Sequence, residues 1–322
     1  MTISDATARD GDVAAGVVAS LSELVALRNQ AQFHGQSRAI GRGISPGQHV
    51  SRHKSRGMEF AEARPYQSGD DARMLDWRQT ARRGRPFTKL FQEEHERPVQ
   101  LLIDMGPSMR FGTRVAFKSV QAARAAALLA WRAAEAGDRV GGLVCNGTSI
   151  NAIRPQGHQH GVLALLAGLA LASKTPPPDQ PMDWVAPLRA LMRSLRPGSL
   201  AVIISDFATL DVKAARQLLA LGASTELMLV HVYDNFEAEV PPPACYPLTD
   251  GQQRLNLDLR GPAARDAYRA AFDERRRLLA QLARQSGAAL VSLATHQAPE
   301  GVLAADLLRG LGWRAPLHRF SA

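Results

Sequence analysis

From residue 99 onward, short and uniformly apolar runs alternate with longer stretches of helical period, and this alternation limits the possible folds more than any other feature of the chain. A strand with one wet face reads apolar-polar-apolar. Runs such as "VQLLID" and "LAVIISD" are instead apolar on both faces and need cover on both. The pattern therefore predicts an α/β domain, a mostly parallel sheet covered by helices, with "LLID" and "VIIS" adjacent at its centre.

The same pattern orders the elements. After the strand "VQLLID" comes the Ala-rich helix "RVAFKSVQAARAAALLAWRAAEAG", closed by Gly137. "RVGGLVCN" and "TSINAIRP" read as strands joined through Asn146-Gly147, a hairpin-turn pair. A helix over 158–173, the linker "KTPPPDQP", a helix over 184–195, the strand "LAVIISD", a helix from Leu210 and the strand "TELMLVHVYD" follow. Beyond the loop "VPPPA", "QQRLNLDL" is expected as an edge strand. A long helix from Pro262, the strand "AALVSLA" and a last helix near Leu303 complete the domain.

The first hundred residues differ. "SLSELVALRNQAQF" is amphipathic and helical in period, Gly-rich "HGQSRAIGRGISPGQ" breaks that period, and "SGDDARMLDWRQTARRG" reads as a short helix capped by Ser68 or Asp70 and ended by Gly84. The expected organisation is a flexible terminus over 1–17, an N-terminal lobe over 18–98 and a sheet domain over 99–315.

With 322 residues and 45% hydrophobic content the chain can bury a full core. No basic segment followed by an apolar core opens it, and its longest apolar run, "GVLALLAGLALAS", is too short to span a bilayer, so the expected location is cytoplasmic. Cys145 and Cys245 form neither a disulfide framework nor a metal knuckle. His53, His95, His158, His160, His231 and His296 show no metal-binding spacing. The net charge of +9 invites a nucleic-acid reading. However, basic residues over 52–97 are interleaved with eight acidic ones, and "DERRRLLAQLARQ" reads as a solvated helix face.

The stretch "LLIDMGPSMRFG" places Asp104 at the end of a buried strand and Ser108 in the loop beyond it. Asp206 ends "LAVIISD" in the same way. In an open parallel sheet ligands collect beyond the carboxyl ends of the strands. Two carboxylates and a hydroxyl there are oxygen ligands suited to Mg²⁺. Nothing nearby supplies an activated nucleophile, and "DMGPS" is not a Gly-x-Ser-x-Gly elbow. The residues leave open a second reading, in which Asp104 accepts N–H bonds from its own loop and Asp206 caps the next helix.

"GMEFAEARPYQSGDDARMLDWRQTARRGRPFTKLFQEE", then "LLIDMGPSMRFG" and "VIISDF", resemble the bacterial domain-of-unknown-function family fifty-eight, whose members have a von Willebrand factor A-like domain. Arg64, Tyr66, Gly69, Asp70, Asp71, Arg73, Asp76, Trp77, Arg78 and Ala81 follow that family's signature order. The resemblance implies a Rossmann-like sheet with a small lobe, and association with a MoxR-type AAA+ ATPase and other von Willebrand A-type proteins. It also implies a metal-ion-dependent adhesion site of Asp-x-Ser-x-Ser, a Thr and a further Asp. Here Gly106 stands at the first Ser position and Met182 at the position aligned with the Thr, so Asp104, Ser108 and Asp206 remain. The expected site is degenerate, with Mg²⁺ binding weak or absent and no other cofactor.

Within the signature, Arg64, Asp70, Asp71, Arg73, Asp76 and Arg78, beside Trp77, read either as an ion-pair lattice or as a displayed recognition patch. The lattice is the expected arrangement. The functional expectation is a non-enzymatic adaptor or chaperone-like partner of a MoxR-type ATPase, binding through the carboxyl-end face of the sheet. A basic nucleic-acid-binding protein is the rival, and a metal-dependent hydrolase using Asp104 and Asp206 stands behind both.

Overall fold

A computed structural model of the chain describes residues 16–31, 58–67, 75–93, 97–178, 180–249 and 254–303. Two compact units are present, one of residues 36–96 and one joining 1–35 to 97–322.

The larger unit is built on a six-stranded sheet of β3 (Pro98–Asp104), β4 (Arg139–Asn146), β5 (Ser149–Gln156), β6 (Leu200–Ser205), β7 (Glu226–Tyr233) and β10 (Ala289–Ala294), in the order β10-β7-β6-β3-β4-β5. All neighbours are parallel except β4 and β5, which form the antiparallel hairpin that Asn146-Gly147 announced; Gly147 takes a φ of 66°, open to glycine without strain. β3 and β6 are central and pair in parallel, with Leu102 opposite Ile203. The fold class is thus as the sequence pattern requires, a mostly parallel α/β sheet flanked by helices.

Each strand sends alternate side chains to opposite faces, and each face has its own helices. Leu101 and Ile103 join the cluster beneath α4 (Lys118–Glu135) and α5 (His158–Lys174), whereas Leu102 joins the cluster beneath α6 (Val185–Ser194), α7 (Val212–Ser224) and α9 (Pro262–Ser286). Alanine-rich α4 is buried along nearly its whole length, since small side chains let it lie close against its neighbours.

Three expectations need correction. "QQRLNLDL" contributes β9 (Arg254–Asp258), which pairs only with β8 (Cys245–Thr249) in a separate two-stranded hairpin and does not edge the main sheet. Its alternating pattern marks a strand but carries no information about the partner. The amphipathic N-terminal stretch forms α1 (Leu21–Ala26) and α2 (Arg28–Ala31), which group with the sheet unit instead of a lobe over 18–98. Trp131 Nε1 donates to the Leu24 carbonyl and Arg124 pairs with Glu23, fastening α1 to α4. The short helix of the signature, α3 (Trp77–Arg83), is capped by Asp76, while Gly84 ends it at a φ of 66° as expected.

In the smaller unit β1 (Met58–Pro65) pairs antiparallel with β2 (Phe87–Glu93), and α3 lies between them in the chain. The sheet unit is completed by α8 (Asn235–Ala238) and α10 (Pro299–Val302). The expected flexible terminus over 1–17 falls almost wholly outside the described residues, as do the Gly-rich stretch and residues 304–315.

Candidate functional site

Because β3 and β6 are parallel neighbours, their last residues end side by side on the carboxyl-end rim. Asp104 closes β3 and Asp206 follows β6, both buried to within 2% of full enclosure. Ser108 sits in a 3₁₀ turn, Pro107–Met109, and its Oγ donates to Asp206 Oδ1 at 3.2 Å. The structure therefore brings the three oxygen-bearing residues together.

Asp104 is served by neutral donors, Gly106 N–H to Oδ1 at 2.9 Å and Ser205 Oγ–H to Oδ2 at 2.6 Å. The loop-anchoring alternative therefore describes one of its contacts. Burial and the facing Asp206 carboxylate push its pKa up to about 6, against the opposing pull of its hydrogen bonds and Lys118. Asp206 does not cap the next helix; Asp211 does, accepting from Ala214 N–H at 2.7 Å. Asp206 is turned toward β3 by Phe207, whose φ of 53° is left-handed and costly for a bulky residue. Phe207 is held there by stacking on Trp184, with centroids 5.4 Å apart.

The decisive neighbour is Lys118, the first residue of α4. Its side chain is 2% exposed, and its Nζ lies 2.7 Å from Asp206 Oδ2 and 2.9 Å from Glu237 Oε1. A helix N-terminus disfavours a cation, so these carboxylates, with the Phe111 ring 5.7 Å from Nζ, are what make the position tenable. Burial works against the charged ammonium, but Asp206 and Glu237 outweigh it and hold the Lys118 pKa above its ordinary value. Burial likewise opposes ionisation of Asp206, yet Lys118 and the Ala208 N–H hold its carboxyl below the usual range. Residue spacing did not reveal this lysine. The available signal was a lone charge in the opening turn of a largely buried, Ala-rich helix.

The resemblance implies a divalent cation among these oxygens, and the residues do not fit one. Asp206 Oδ2 is already directed at an ammonium, whose fixed charge repels a second cation at the same place. Gly106 offers no side-chain oxygen, and a Cβ added there would lie 3.0 Å from Asp104 Oδ1. Met182 is buried in the apolar cluster with Trp184 and Phe207. Among the described residues no group of three His, Cys, Asp or Glu side chains is placed to hold a metal ion.

Nor is a nucleophile activated here. Cys145, opposite Asp104 on β4, has its thiol pushed well up by burial and by Asp104. His231 is pushed down to about 4, mainly by burial. Ser108 faces a carboxylate already committed to Lys118 and the Ala208 N–H.

Of the signature residues, Gly69, Asp70, Asp71 and Arg73 lie outside the described residues, as does the side chain of Arg64. Asp76 accepts from Arg78 N–H at 3.0 Å and Gln79 N–H at 3.1 Å. Its carboxylate is spent as an N-cap, so it does not join the expected lattice with Arg78. The Arg78 side chain is exposed and pairs with no carboxylate among the described residues, and Trp77 beside it is 70% exposed.

The mostly parallel sheet flanked by helices makes the chain an α/β protein with its charged cluster on the carboxyl-end rim. The chain belongs to the family described as protein of unknown function DUF58, which matches residues 62–278. It is 33% identical over 259 residues to uncharacterized protein Rv1480 of Mycobacterium tuberculosis and, to the same degree, to Mb1516 of Mycobacterium bovis. Each alignment covers 79% of this chain and 80% of the relative. Among solved structures, the conserved hypothetical protein BatB of Bacteroides thetaiotaomicron aligns at a TM-score of 0.44 and 12% identity, over 67% of this chain and 98% of BatB. An aerotolerance-related membrane protein of Bacteroides fragilis aligns at 0.38 and 12%, over 64% and 96%. In this chain no helix among the described residues is long and apolar enough to cross a membrane.

Proposed function

We propose that this protein is a non-enzymatic, cytoplasmic adaptor of von Willebrand A-like design that engages a MoxR-type AAA+ ATPase through the carboxyl-end rim of its sheet. One observation carries the reading: the charged groups on that rim satisfy one another. Lys118 pairs with both Asp206 and Glu237, while Asp104 is bonded to Ser205 and Gly106. A reactive centre keeps a ligand position or a poised base open, whereas a closed cluster makes a fixed surface. The ATPase is nominated by the family resemblance.

The loop after β3 presents Arg114 and Val115, the latter 54% exposed, directly before the helix that carries Lys118. An exposed arginine beside an exposed aliphatic residue on a rigid loop is suitable anchor material for an interface. The test is association of the full chain with a MoxR-type ATPase. Arg114→Glu with Val115→Asp should weaken the complex by about tenfold or more, with thermal stability unchanged, and chelation of divalent cations from the adaptor should have no effect. Equal association by native and doubly substituted chains would refute the rim assignment.

A further inference from the structure

The basic run of α9, which a solvated helix face was expected to account for, lies over a cavity. Asp273, Arg276 and Arg277 lie on one side of that helix at helical spacing. With Leu290 and Ser292 of edge strand β10 and His231 of β7, they line a space of 550 Å³, within the range of small-molecule sites. The cavity exists because α9 covers the interior strands and leaves this face of β10 partly open: Leu290 is half-buried and Ser292 exposed.

Two observations independently mark it as a ligand site. The first is His231, 1% exposed, whose Nε2 has no hydrogen-bond partner. A buried polar nitrogen left unpaired costs about 1–3 kcal/mol, and the rings of Phe207, Tyr233 and Phe272 around it offer no strong acceptor. The second is charge. Arg276 forms no ion pair among the described residues, and the one hydrogen bond of Arg277 runs from Nε to the Asp273 carbonyl at 3.2 Å. Two guanidinium groups against one Asp273 carboxylate leave a single excess positive charge at the mouth, which suits a monoanion. A planar guanidinium matches a carboxylate in a two-bonded fork.

We propose that this cavity binds an organic monocarboxylate with an apolar body, its carboxylate held by Arg276 and Arg277 and its far end directed toward His231, which borders the space. The imidazole is neutral at physiological pH because burial pushes it down to about 4, so it can both donate and accept a hydrogen bond. The cavity shares no lining residue with the Lys118 cluster and does not depend on the adaptor reading.

The test is calorimetric titration of the full chain with 4-hydroxyphenylacetate, a monocarboxylate with an apolar ring and a hydroxyl, and with its cationic counterpart tyramine. The carboxylate should bind saturably with a Kd below about 1 mM, and tyramine should not bind. Arg276→Gln with Arg277→Gln should weaken the carboxylate by about tenfold or more, the worth of charge-assisted hydrogen bonds. Both arginines are exposed, so the fold is expected to tolerate the change. In the native chain, binding should also move the His231 imidazole NMR signals, identified by their loss in His231→Gln. Absence of saturable carboxylate binding up to about 10 mM, equal binding of tyramine, or unchanged affinity in the double variant would overturn the proposal.

Discussion

Two buried carboxylate clusters stand on the same rim of the sheet, one beyond β3 and β6 and the other beyond β7, and they are stabilised by opposite means. At the first, Asp104 and Asp206 face each other and the ammonium of Lys118 is drawn in between the loops. At the second, Asp234 is held by neutral donors, and the Glu237 carboxylate beside it accepts its backbone N–H. Thr113 gives Asp234 an N–H at 3.1 Å and a hydroxyl at 2.7 Å, Thr295 a hydroxyl at 2.6 Å, and Phe236 an N–H at 2.9 Å. Burial alone would raise its pKa, but these dipoles hold it below the ordinary value. All three carboxylates have almost no exposed surface, but Asp234 is less deeply embedded than Asp104 and Asp206, so both depth and the number of carboxylates bear on which device is used. Neutral donors satisfy one partly embedded charge, whereas two facing charges call for a cation or a retained proton, and the Asp104–Asp206 pair shows both. Glu237 connects the clusters, since its Oε1 meets Lys118 and its Oε2 accepts from Asp234 N–H at 3.0 Å.

The comparison is most strained by removing the lysine. Lys118→Met leaves Asp206 buried without its counter-charge, and breaking such a pair costs about 3–5 kcal/mol. Urea denaturation at pH 8 should show a loss of this order, part of it recovered near pH 5 as carboxylates protonate; a negligible loss would mean that the ammonium is incidental. Asp234→Ala comes next. It strands two threonine hydroxyls and two N–H groups, for a loss of about 2–3 kcal/mol that a fall from pH 8 to 5 should not repair.

The smallest effect has the opposite sign. Asp104 has a folded pKa of about 6 against the ordinary carboxyl value of 3.8. Its contribution to stability is therefore fully present below that lower value and is lost as the pH rises through 6. Asp104→Asn removes that loss, although the amide can satisfy only one of the two donors as an acceptor. A gain of about 1 kcal/mol is expected at pH 8, turning into a loss of about 1 kcal/mol near pH 4, where the protonated acid no longer carries the buried charge and the stranded donor remains; parallel denaturation curves read the difference. Asp234, with its pKa lowered, should show no such gain on conversion to Asn.

Much of this architecture was legible because burial writes itself into long apolar runs. "LLID" and "VIIS" could only be central, and Asn146-Gly147 could only turn a hairpin. What local pattern cannot carry is partnership. Nothing in "QQRLNLDL" tells β9 to pair with β8 and leave the main sheet, and nothing in "LDWRQ" separates an Asp76 that caps its own helix from one that pairs with Arg78. Lys118 is the clearest case. It lies 88 residues from Asp206 and 119 from Glu237, so no spacing rule joins them. The chain showed two carboxylates and the absence of expected oxygens at Gly106 and Met182, but the group that answers their charge emerges only once α4 is laid against the rim.

The central claim, that Lys118 supplies the positive charge at this site, is tested most directly by calorimetric titration of the unmodified protein with Mg²⁺ and Mn²⁺. No saturable binding is expected up to about 1 mM, the weak end of the range in which oxygen-ligand sites operate. Submillimolar binding of either ion by the native chain would contradict the account, because the ammonium would then have to give way to the metal.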